Sequence, residues 1–303
     1  MAGVTNELCG LICVNKPAGF TSFDVIAKMR GILKMKRLGH AGTLDPMATG
    51  VLPVFVGRAT KACDILPDHD KTYEAGFRLG FVSDTQDISG NVSEMGNICG
   101  INTETVSEIL EKFRGDIMQI PPMYSAVSVG GKRLYELARS GIEIEREARP
   151  VTIYSLELTE YDEKSGNGII SVSCSKGTYI RTLINDIGEA LGCGGIMTSL
   201  ARTRACGFSV SDCVTLEQLE KISADGGDFS ALVRPIESVF AELPALHIRG
   251  AQERMYRNGA KLDLGRLDID RSACRVRVYG ENGFIGTAIP DTKNGVLRVD
   301  KNF

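Results

Sequence analysis

An aspartate in a glycine-rich segment has the most suggestive chemical setting in this chain. Asp45 stands near the end of the run GHAGTLDP, residues 39–46. Pro46 restricts the backbone of Asp45 toward extended conformations, so a loop could present the carboxylate into a cleft. Carboxylates can attack a sugar carbon as covalent nucleophiles. Asp-Pro pairs also begin ordinary turns, and the local spacing alone favours that simpler interpretation.

Four other side chains could serve such a site, although each also has a simpler interpretation. His40 could insert as a wedge, act as an acid or base, or be a polar loop residue. Tyr73 and Tyr179 could stack on a nucleobase, or pack as strand and core aromatics. Arg181 would hold a neighbouring carboxylate ionised; otherwise it would form a surface ion pair of little consequence.

The elements that must position these residues follow from the hydrophobic pattern. Residues 11–15 form an apolar run typical of a buried strand. Thr21 or Ser22 offers an N-cap for an amphipathic helix whose apolar stripe covers residues 25–33. Between residues 39 and 61, four glycines and two prolines exclude one long regular element.

The rest of the chain mixes strands and helices. Strand-like alternation covers residues 73–81, and a helix near residues 106–113 is closed by Gly115. Residues 121–149, rich in glycine and charged residues, predict an inserted, mobile surface arm. Without a regular βαβ rhythm, the pattern favours an α+β fold over a doubly wound sheet. Short strand-like runs in residues 244–303 predict a small, mainly β module.

Composition and charge narrow the class of protein. The chain has 303 residues, 43% of them hydrophobic, which suits one large and one smaller globular domain. Its net charge of −3 argues mildly against a protein that binds nucleic acid. A small net charge can nevertheless hide a local basic patch. Basic residues do cluster along the chain, at Lys28, Arg30, Lys34, Lys36, Arg37, Arg58, Lys61, Lys132, Arg133, Arg202 and Arg204.

Several classes of protein are not expected. The sequence contains no run of about 18 apolar residues, which a membrane helix would need. The first ten residues lack the pattern of a secretion signal. We therefore expect a cytoplasmic protein. The nine cysteines show no paired CxxC spacing, and His40, His69 and His247 are scattered. This pattern argues against a disulfide framework and against a metal site. We expect a monomer, because no coiled-coil seam is visible.

The segment LGHAGTLDPMATGVLPVFVGRATK, residues 38–61, closely resembles the signature of the TruB pseudouridine synthases. Family-like segments accompany it in the right order: KPAGFTS (16–22), KTY (71–73), DTQD (84–87), PPMYSA (121–126), GKR (131–133), GTYIRTL (177–183) and SLARTR (199–204). Chance agreement across so many ordered segments, spanning roughly residues 10–210, is not credible. The MATG after the DP pair resembles the bacterial branch of the family.

This resemblance implies a fold, a reaction and a partner. The fold would be a pseudouridine-synthase-like α+β domain in residues 1–243, with a mixed or antiparallel sheet, flanking helices and an RNA-binding arm at 121–149. Residues 244–303 would form a PUA-like RNA-binding module. The reaction would isomerise a uridine in the T-loop of tRNA, position 55 in tRNA numbering, to pseudouridine. The family uses no cofactor and no metal. The expected partner is the T stem-loop of tRNA.

The resemblance also implies catalytic roles. Asp45 would be the nucleophile acting on a flipped-out nucleotide, and Arg181 would pair with it and keep it anionic. Tyr73 would stack on the uracil and help to move a proton. His40 would fill the space that the base leaves.

Seven further residues are expected to bind the substrate or to support the site. Tyr179 and Leu200 would wall the pocket around the base. Lys16 and Lys61 would contact phosphate or support the structure. The remaining three are the basic residues Lys132, Arg133 and Arg202.

Two other functions are compatible with these residues. The chain could be a tRNA-folding chaperone on the same fold without turnover, but a retired enzyme would be free to lose Asp45. It could also be a hydrolase that uses an aspartate on a sugar, which usually needs a second, spaced carboxylate. Asp84, Asp87 and Asp186 are the candidates on paper, although we assign Asp84 and Asp87 to turn structure. Release of free uracil would distinguish the hydrolase.

Overall fold

The computed structural model describes residues 8–67 and 70–303. His69 and the first seven residues, both used in the sequence predictions, lie outside the described residues. Eighteen strands run through the described part of the chain: β1 (Gly10–Lys16), β2 (Leu38–His40), β3 (Thr49–Val56), β4 (Lys71–Leu79), β5 (Phe81–Ser83), β6 (Val92–Glu94), β7 (Gly115–Gln119), β8 (Ser128–Val129), β9 (Lys132–Arg133), β10 (Arg149–Asp162), β11 (Asn167–Cys174), β12 (Gly195–Ala205), β13 (Phe208–Ser209), β14 (Ala245–His247), β15 (Leu262–Asp263), β16 (Val276–Gly280), β17 (Gly283–Asp291) and β18 (Val296–Asn302).

The same residues contain six α-helices: α1 (Ser22–Leu33), α2 (Thr103–Glu111), α3 (Leu134–Arg139), α4 (Ile180–Ala190), α5 (Leu216–Ala224) and α6 (Gly250–Arg257). None of them is long and apolar enough to cross a membrane. Short 3-10 turns lie between these elements, for example at Gly57–Ala62.

Nine strands form the main sheet, in the order β1-β3-β12-β4-β11-β10-β7, with β2 beside β3 and β13 beside β12. Neighbouring strands are antiparallel except β3 and β12, which run parallel where Gly50 lies opposite Arg202. A side chain at Gly50 would bring its Cβ to 2.2 Å from the Arg202 carbonyl oxygen, so only glycine fits this strand contact. The mixed sheet and the α+β class predicted from the sequence are confirmed.

Two hydrophobic clusters hold helices against this sheet. In the larger one, α2 and α4 pack on the central strands, and each fully buried aliphatic side chain contributes about 1.5–3 kcal/mol. Its members include Phe77, Leu79, Val106, Leu110, Leu156, Ile170, Leu183, Ile184, Ile187 and Met197. The second cluster joins α1 and α5 to β1 and β3 through residues that include Ile12, Val25, Ile26, Met29, Leu52, Val54, Leu216 and Leu219.

The start of α1 resolves an alternative left open by the sequence. Thr21 is the N-cap: its hydroxyl accepts from the Asp24 N–H over 3.0 Å, and the Asp24 carboxylate accepts from the Thr21 N–H over 2.8 Å. This reciprocal pair is a capping box, which satisfies two N–H groups that a helix start leaves open. Ser22 is therefore not needed as a cap, and its buried hydroxyl is available to another part of the fold.

Residues 245–302 build a second, five-stranded sheet in the order β14-β16-β17-β18-β15, with its own hydrophobic cluster. The mainly β character predicted for this part is confirmed, while the boundary at residue 244 stays a prediction. Arg275 joins the two parts: its guanidinium donates to the Ile65 carbonyl over 3.0 Å and pairs with Asp300 at 2.8 Å. Lys301 adds an ion pair with Asp64 at 2.9 Å.

Candidate active site

Asp45 lies in the loop between β2 and β3, and distant parts of the chain fix that loop on both sides of the carboxylate. The Leu44 N–H donates to the Ser22 hydroxyl over 2.9 Å, and that hydroxyl donates back to the Leu44 carbonyl over 3.3 Å. The Gly19 N–H donates to the Pro46 carbonyl over 2.8 Å. Tertiary contacts, rather than the local Asp-Pro sequence, therefore determine where Asp45 stands.

Lys16 is a buried cation that supports the same loop. Its ammonium group donates to the carbonyls of Pro46 over 3.2 Å, Pro17 over 2.9 Å and Phe20, which uses all three of its donors. Burial lowers the pKa of Lys16 to about 8. The side chain has no exposed surface, so of the two predicted roles the geometry favours support of the structure over contact with phosphate.

Arg181 contacts both oxygens of the Asp45 carboxylate. Its Nε lies 3.0 Å from Asp45 Oδ2, and its Nη2 donates to Asp45 Oδ1 over 3.3 Å. The remaining donors go to the carbonyls of Thr85 over 3.1 Å and Tyr124 over 2.9 Å, and to the Asp87 carboxylate at 3.5 Å. A planar guanidinium fork matches a carboxylate in this way, and its rigidity fixes the orientation of both groups.

Asp87 is a site residue whose second role was not predicted from the sequence. Its Oδ1 does make the predicted turn contacts, accepting from the Thr85 hydroxyl over 2.7 Å and the Ser89 N–H over 2.9 Å. Its Oδ2, however, faces Arg181, and the residue is buried. The only signal for this second role was its place within a family-like segment. Asp84, by contrast, caps a turn by accepting from Asn91 and stays exposed.

Desolvation by burial is the largest influence on the pKa of Asp45. Burial raises the pKa of Asp45 above its usual value; Arg181 opposes this rise, Asp87 adds to it and Lys16 opposes it. Arg181 thus acts in the predicted direction, but it does not fully offset desolvation. About a third of the side chain, 36%, is still exposed. A poorly solvated carboxylate that still opens to the surface is typical of a functional group rather than of a structural ion pair.

Tyr73 and Leu200 form an apolar wall beside this loop. They lie on the neighbouring strands β4 and β12, and both belong to the hydrophobic cluster that also contains Leu44, the residue next to Asp45. Burial raises the pKa of Tyr73 to about 12, so its phenol is neutral at neutral pH. Of the two predicted roles of Tyr73, stacking needs only the ring face, and proton movement would have to start from the neutral phenol.

Arg202 and His40 also lie near the loop, and Arg202 is the register partner of Tyr73 on the neighbouring strand. Arg202 is fully buried, and its guanidinium donates to the carbonyls of Val51 over 2.8 Å and Gly42 over 3.0 Å. It therefore supports the loop rather than presenting its charge to solvent. His40 ends β2; burial, together with the positive charge of Arg202, lowers the pKa of His40. Its ring is therefore neutral at neutral pH, which is compatible with the wedge role that the resemblance implies.

Comparison with known proteins identifies the family of this chain. Residues 30–180 match the N-terminal domain of the TruB family of pseudouridylate synthases, and residues 181–241 match the C-terminal domain of tRNA pseudouridylate synthase B. The chain belongs to the TruB family.

Individual relatives agree with this assignment. A tRNA pseudouridine synthase B from Heliobacterium modesticaldum is 51% identical over 80% of this chain and 78% of its own length. Another, from Halalkalibacterium halodurans, is 45% identical over 97% of both chains. Among solved structures, a Cbf5–Nop10–Gar1 complex aligns with a TM-score of 0.73 at 26% identity, covering 97% of this chain and 85% of the other.

In this TruB-family chain, Tyr179 is held through its backbone. It is the N-cap residue of α4 and has no capping hydrogen bond from its own side chain. Gln119, which was not predicted from the sequence, accepts from the Tyr179 N–H over 2.8 Å and donates to the Tyr179 carbonyl over 3.0 Å. The backbone of half-buried Tyr179 is therefore fixed, two residues before Arg181.

Four predicted residues stand apart from the Asp45–Arg181 pair. Lys132 and Arg133 form the exposed strand β9 in the arm. Lys61 lies in the 3-10 turn after β3 and donates to the Asn302 carbonyl in the second sheet. Asp186 lies on α4, where burial raises its pKa to about 6, but it takes no part in the hydrogen bonds of Arg181. The structure thus gives no support to Asp186 as the second carboxylate of a hydrolase.

Proposed function

We propose that this protein converts the uridine at position 55 in the T-loop of tRNA to pseudouridine, with Asp45 as the nucleophile. The observation that carries the proposal is the two-point contact of Arg181 with Asp45, at 3.0 and 3.3 Å, on a loop fixed by buried groups. Membership of a pseudouridylate synthase family supports the reaction, and relatives named tRNA pseudouridine synthase B support the substrate.

The target nucleotide must leave the RNA stack before reaction. Flipping costs a few kcal/mol, which contacts with the protein must offset. Stacking of uracil on Tyr73 would return roughly 1–3 kcal/mol. His40, neutral because of burial, would occupy the space vacated in the loop.

The chemistry exchanges one bond of the uracil for another. The bond from ribose C1′ to uracil N1 breaks, the base turns, and a bond from C1′ to C5 forms, while C5 loses a proton and N1 gains one. The atoms balance within the nucleotide, so no external reagent is consumed. Asp45 starts the exchange as nucleophile, and the Tyr73 phenol passes a proton. Tyr179 and Leu200 enclose the detached base and exclude water.

The remaining predictions concern partner and setting. The arm at residues 121–149 carries Lys132 and Arg133 on an exposed hairpin, which suits contact with the phosphates of the T stem-loop. A PUA-like role for residues 244–303 would add a second RNA contact. We further infer that the protein works in the cytoplasm, where tRNA is modified, and that it works as a monomer, to be checked by light scattering with and without RNA.

The deciding experiment uses an unmodified T stem-loop transcript, with no metal or nucleotide added. We expect wild type to convert the single T-loop uridine, and Asp45→Asn to bind RNA with similar affinity but to lose more than about 1,000-fold in single-turnover rate. Asp84→Asn is the matched control, because it makes the same change at an exposed carboxylate outside the Arg181 contacts.

Each alternative has its own outcome. RNA bound by wild type at saturation without any chemical change would support a chaperone. Free uracil in the reaction would support a hydrolase. Conversion by Asp45→Asn at more than a trace rate would refute the nucleophile assignment while leaving the reaction in place.

A further inference from the structure

The arm leaves the main sheet at one pair of residues. Strand β7 ends at Gln119 and strand β10 begins at Arg149, and these two residues are partners in the antiparallel register. The chain between them first runs through buried residues at 121–123 and 125, and then forms the exposed hairpin of β8 and β9 followed by α3, whose Leu134 is buried. Any movement of the arm must therefore pivot at or beyond Gln119.

We call the Gln119–Arg149 pair the arm root. The Gln119 side chain points from it into the protein interior. Only 2% of Gln119 is exposed, and its amide contacts the backbone of a single residue, Tyr179, through both a donor and an acceptor. Glutamine supplies both functions in one planar group, which neither an ionised carboxylate nor an apolar side chain can do. These two hydrogen bonds resemble the paired backbone bonds of a β-bridge, and they join Gln119 to the N-cap residue of α4, which makes no capping hydrogen bond with its own side chain.

A second contact joins the arm to the same helix. Arg181 Nη2 donates to the carbonyl of Tyr124, beyond the rigid Pro121-Pro122 pair that follows the arm root. The same guanidinium holds Asp45. The arm root is thus tied to α4 at two neighbouring residues, one expected to wall the base pocket and one that orients the nucleophile.

We propose that Gln119 is a positioning residue that couples the arm to the Asp45–Arg181 pair. It holds the start of α4 so that Tyr179 keeps its place at the pocket and Arg181 keeps its Nε and Nη2 atoms against the Asp45 carboxylate. Gln119 contacts neither the RNA nor the reacting atoms and acts only through Tyr179 and Arg181. The effect on turnover rests on the proposed function; the effect on the geometry at Asp45 does not.

The test replaces Gln119 by Met, which has a similar shape but no amide. The first readout is the pKa of the Asp45 carboxyl, followed by carbon NMR during a pH titration of the free protein. Because Arg181 opposes the rise in the pKa of Asp45, a loosened Arg181 should raise that pKa further. The other charged groups around Asp45, namely Asp87 and Lys16, are unchanged in the variant.

The second readout is turnover on the T stem-loop transcript. We expect Gln119→Met to lower the single-turnover rate at saturating RNA by about ten- to hundredfold, as small misplacements of reacting groups do, while its Kd for RNA changes little. The acid limb of the rate profile should move to higher pH together with the pKa of Asp45.

Thr287→Val is the matched control for the loss of a buried hydrogen bond. The fully buried Thr287 hydroxyl donates to Asp300 over 2.9 Å in the second sheet, away from the Asp45 loop. We expect this variant to have a lower Tm but an unchanged rate and an unchanged acid limb. A merely structural role for Gln119 would give that same result.

Gln119→Glu keeps the test decisive if Gln119→Met does not fold. Its carboxylate can still accept from the Tyr179 N–H but, when ionised, cannot donate to the Tyr179 carbonyl. A folded Gln119 variant with the wild-type pKa at Asp45 would overturn the proposal. A wild type that leaves the transcript unchanged would refute the proposed function instead, and the NMR titration would still decide the coupling.

Discussion

The Asp45 loop and the arm are built in opposite ways. Fully buried groups from three separate elements, Lys16, Ser22 and Arg202, hold the backbone on either side of Asp45. The arm instead presents Lys132 and Arg133 on a two-residue strand whose hairpin partner is exposed as well. A reacting carboxylate must be held within a fraction of an ångström, whereas binding to a phosphate needs only a charge within reach.

This contrast separates the expected effects of substitution. Changes around the loop should lower the rate of the bound complex, because they displace the proposed nucleophile. Changes in the arm should weaken RNA binding and its dependence on salt, because they remove charge. The two regions meet at Arg181, whose Nη2 donates both to the Asp45 carboxylate and to the Tyr124 carbonyl.

Among changes to the residues around Asp45, Arg181→Lys should lower the turnover rate most strongly. Lysine keeps the charge but cannot contact both Asp45 oxygens as a fork, so we expect the single-turnover rate to fall by about 100- to 1,000-fold. Weaker pairing should also raise the pKa of Asp45. The acid limb of the rate profile would then move to higher pH. A rate profile recorded from neutral pH down to the ordinary pKa of an aspartate, about 3.9, would show both effects.

The control for this change is Arg114→Lys. Arg114 also donates to a carboxylate, that of Glu111 at 2.7 Å, and it donates to the Leu156 carbonyl over 3.0 and 2.7 Å, outside the contacts of Arg181. An Arg181→Lys enzyme with the rate of this control would show that charge alone suffices at Asp45, and that the fork geometry is dispensable.

Asp87→Asn should shift the acid limb of the rate profile in the direction opposite to that expected for Arg181→Lys. The charge of Asp87 raises the pKa of Asp45, so its removal should lower that pKa and move the acid limb to lower pH. The maximal rate should fall by about tenfold, because Arg181 loses one partner that fixes its orientation. Rate profiles recorded beside those of Asp84→Asn would check this. A shift of both Arg181→Lys and Asp87→Asn to the same side would contradict the electrostatic account.

Much of the fold follows from sequence patterns. The α+β class and the mainly β character of residues 244–303 were predicted from alternation and helical spacing, because these patterns report which faces are buried. The mixed or antiparallel sheet was implied by the resemblance to the TruB family. The resemblance placed Arg181 with Asp45, and the structure has them in contact, although their catalytic roles stay predictions.

Other features could not be predicted, because each depends on a partner far away in the chain. Asp87 satisfies turn chemistry with one oxygen and Arg181 with the other, and only the first pattern is local. Gln119 ends an ordinary edge strand, and nothing near it in the sequence indicates Tyr179. Lys16 has the pattern of a polar residue that ends a strand. Its complete burial becomes acceptable only when the fold brings three carbonyls to its ammonium group.

Replacing Lys132 and Arg133 together by Ala tests whether the arm binds RNA through its charge. We expect RNA binding to weaken several-fold and the slope of log K against log salt to flatten by up to about 0.9 for each phosphate that the variant no longer neutralises. The rate at saturating RNA should not change, because the Asp45 loop is untouched. Lys164→Ala, in the exposed turn after β10, is a control at the opposite end of that strand. An unchanged slope would show that the arm does not touch phosphate.

Lys61 belongs to neither region, and its replacement should have the smallest effect. Its ammonium group donates to the Asn302 carbonyl and so links the turn after β3 to the end of the second sheet. Lys61→Met, which keeps most of the apolar stem, should lower the free energy of unfolding by about 1 kcal/mol and leave both the rate and the RNA affinity unchanged. Denaturant titration beside salt-dependent binding measures both quantities. Weaker binding with a flatter salt slope, at full stability, would instead make Lys61 a phosphate-binding residue and extend the charged surface beyond the arm.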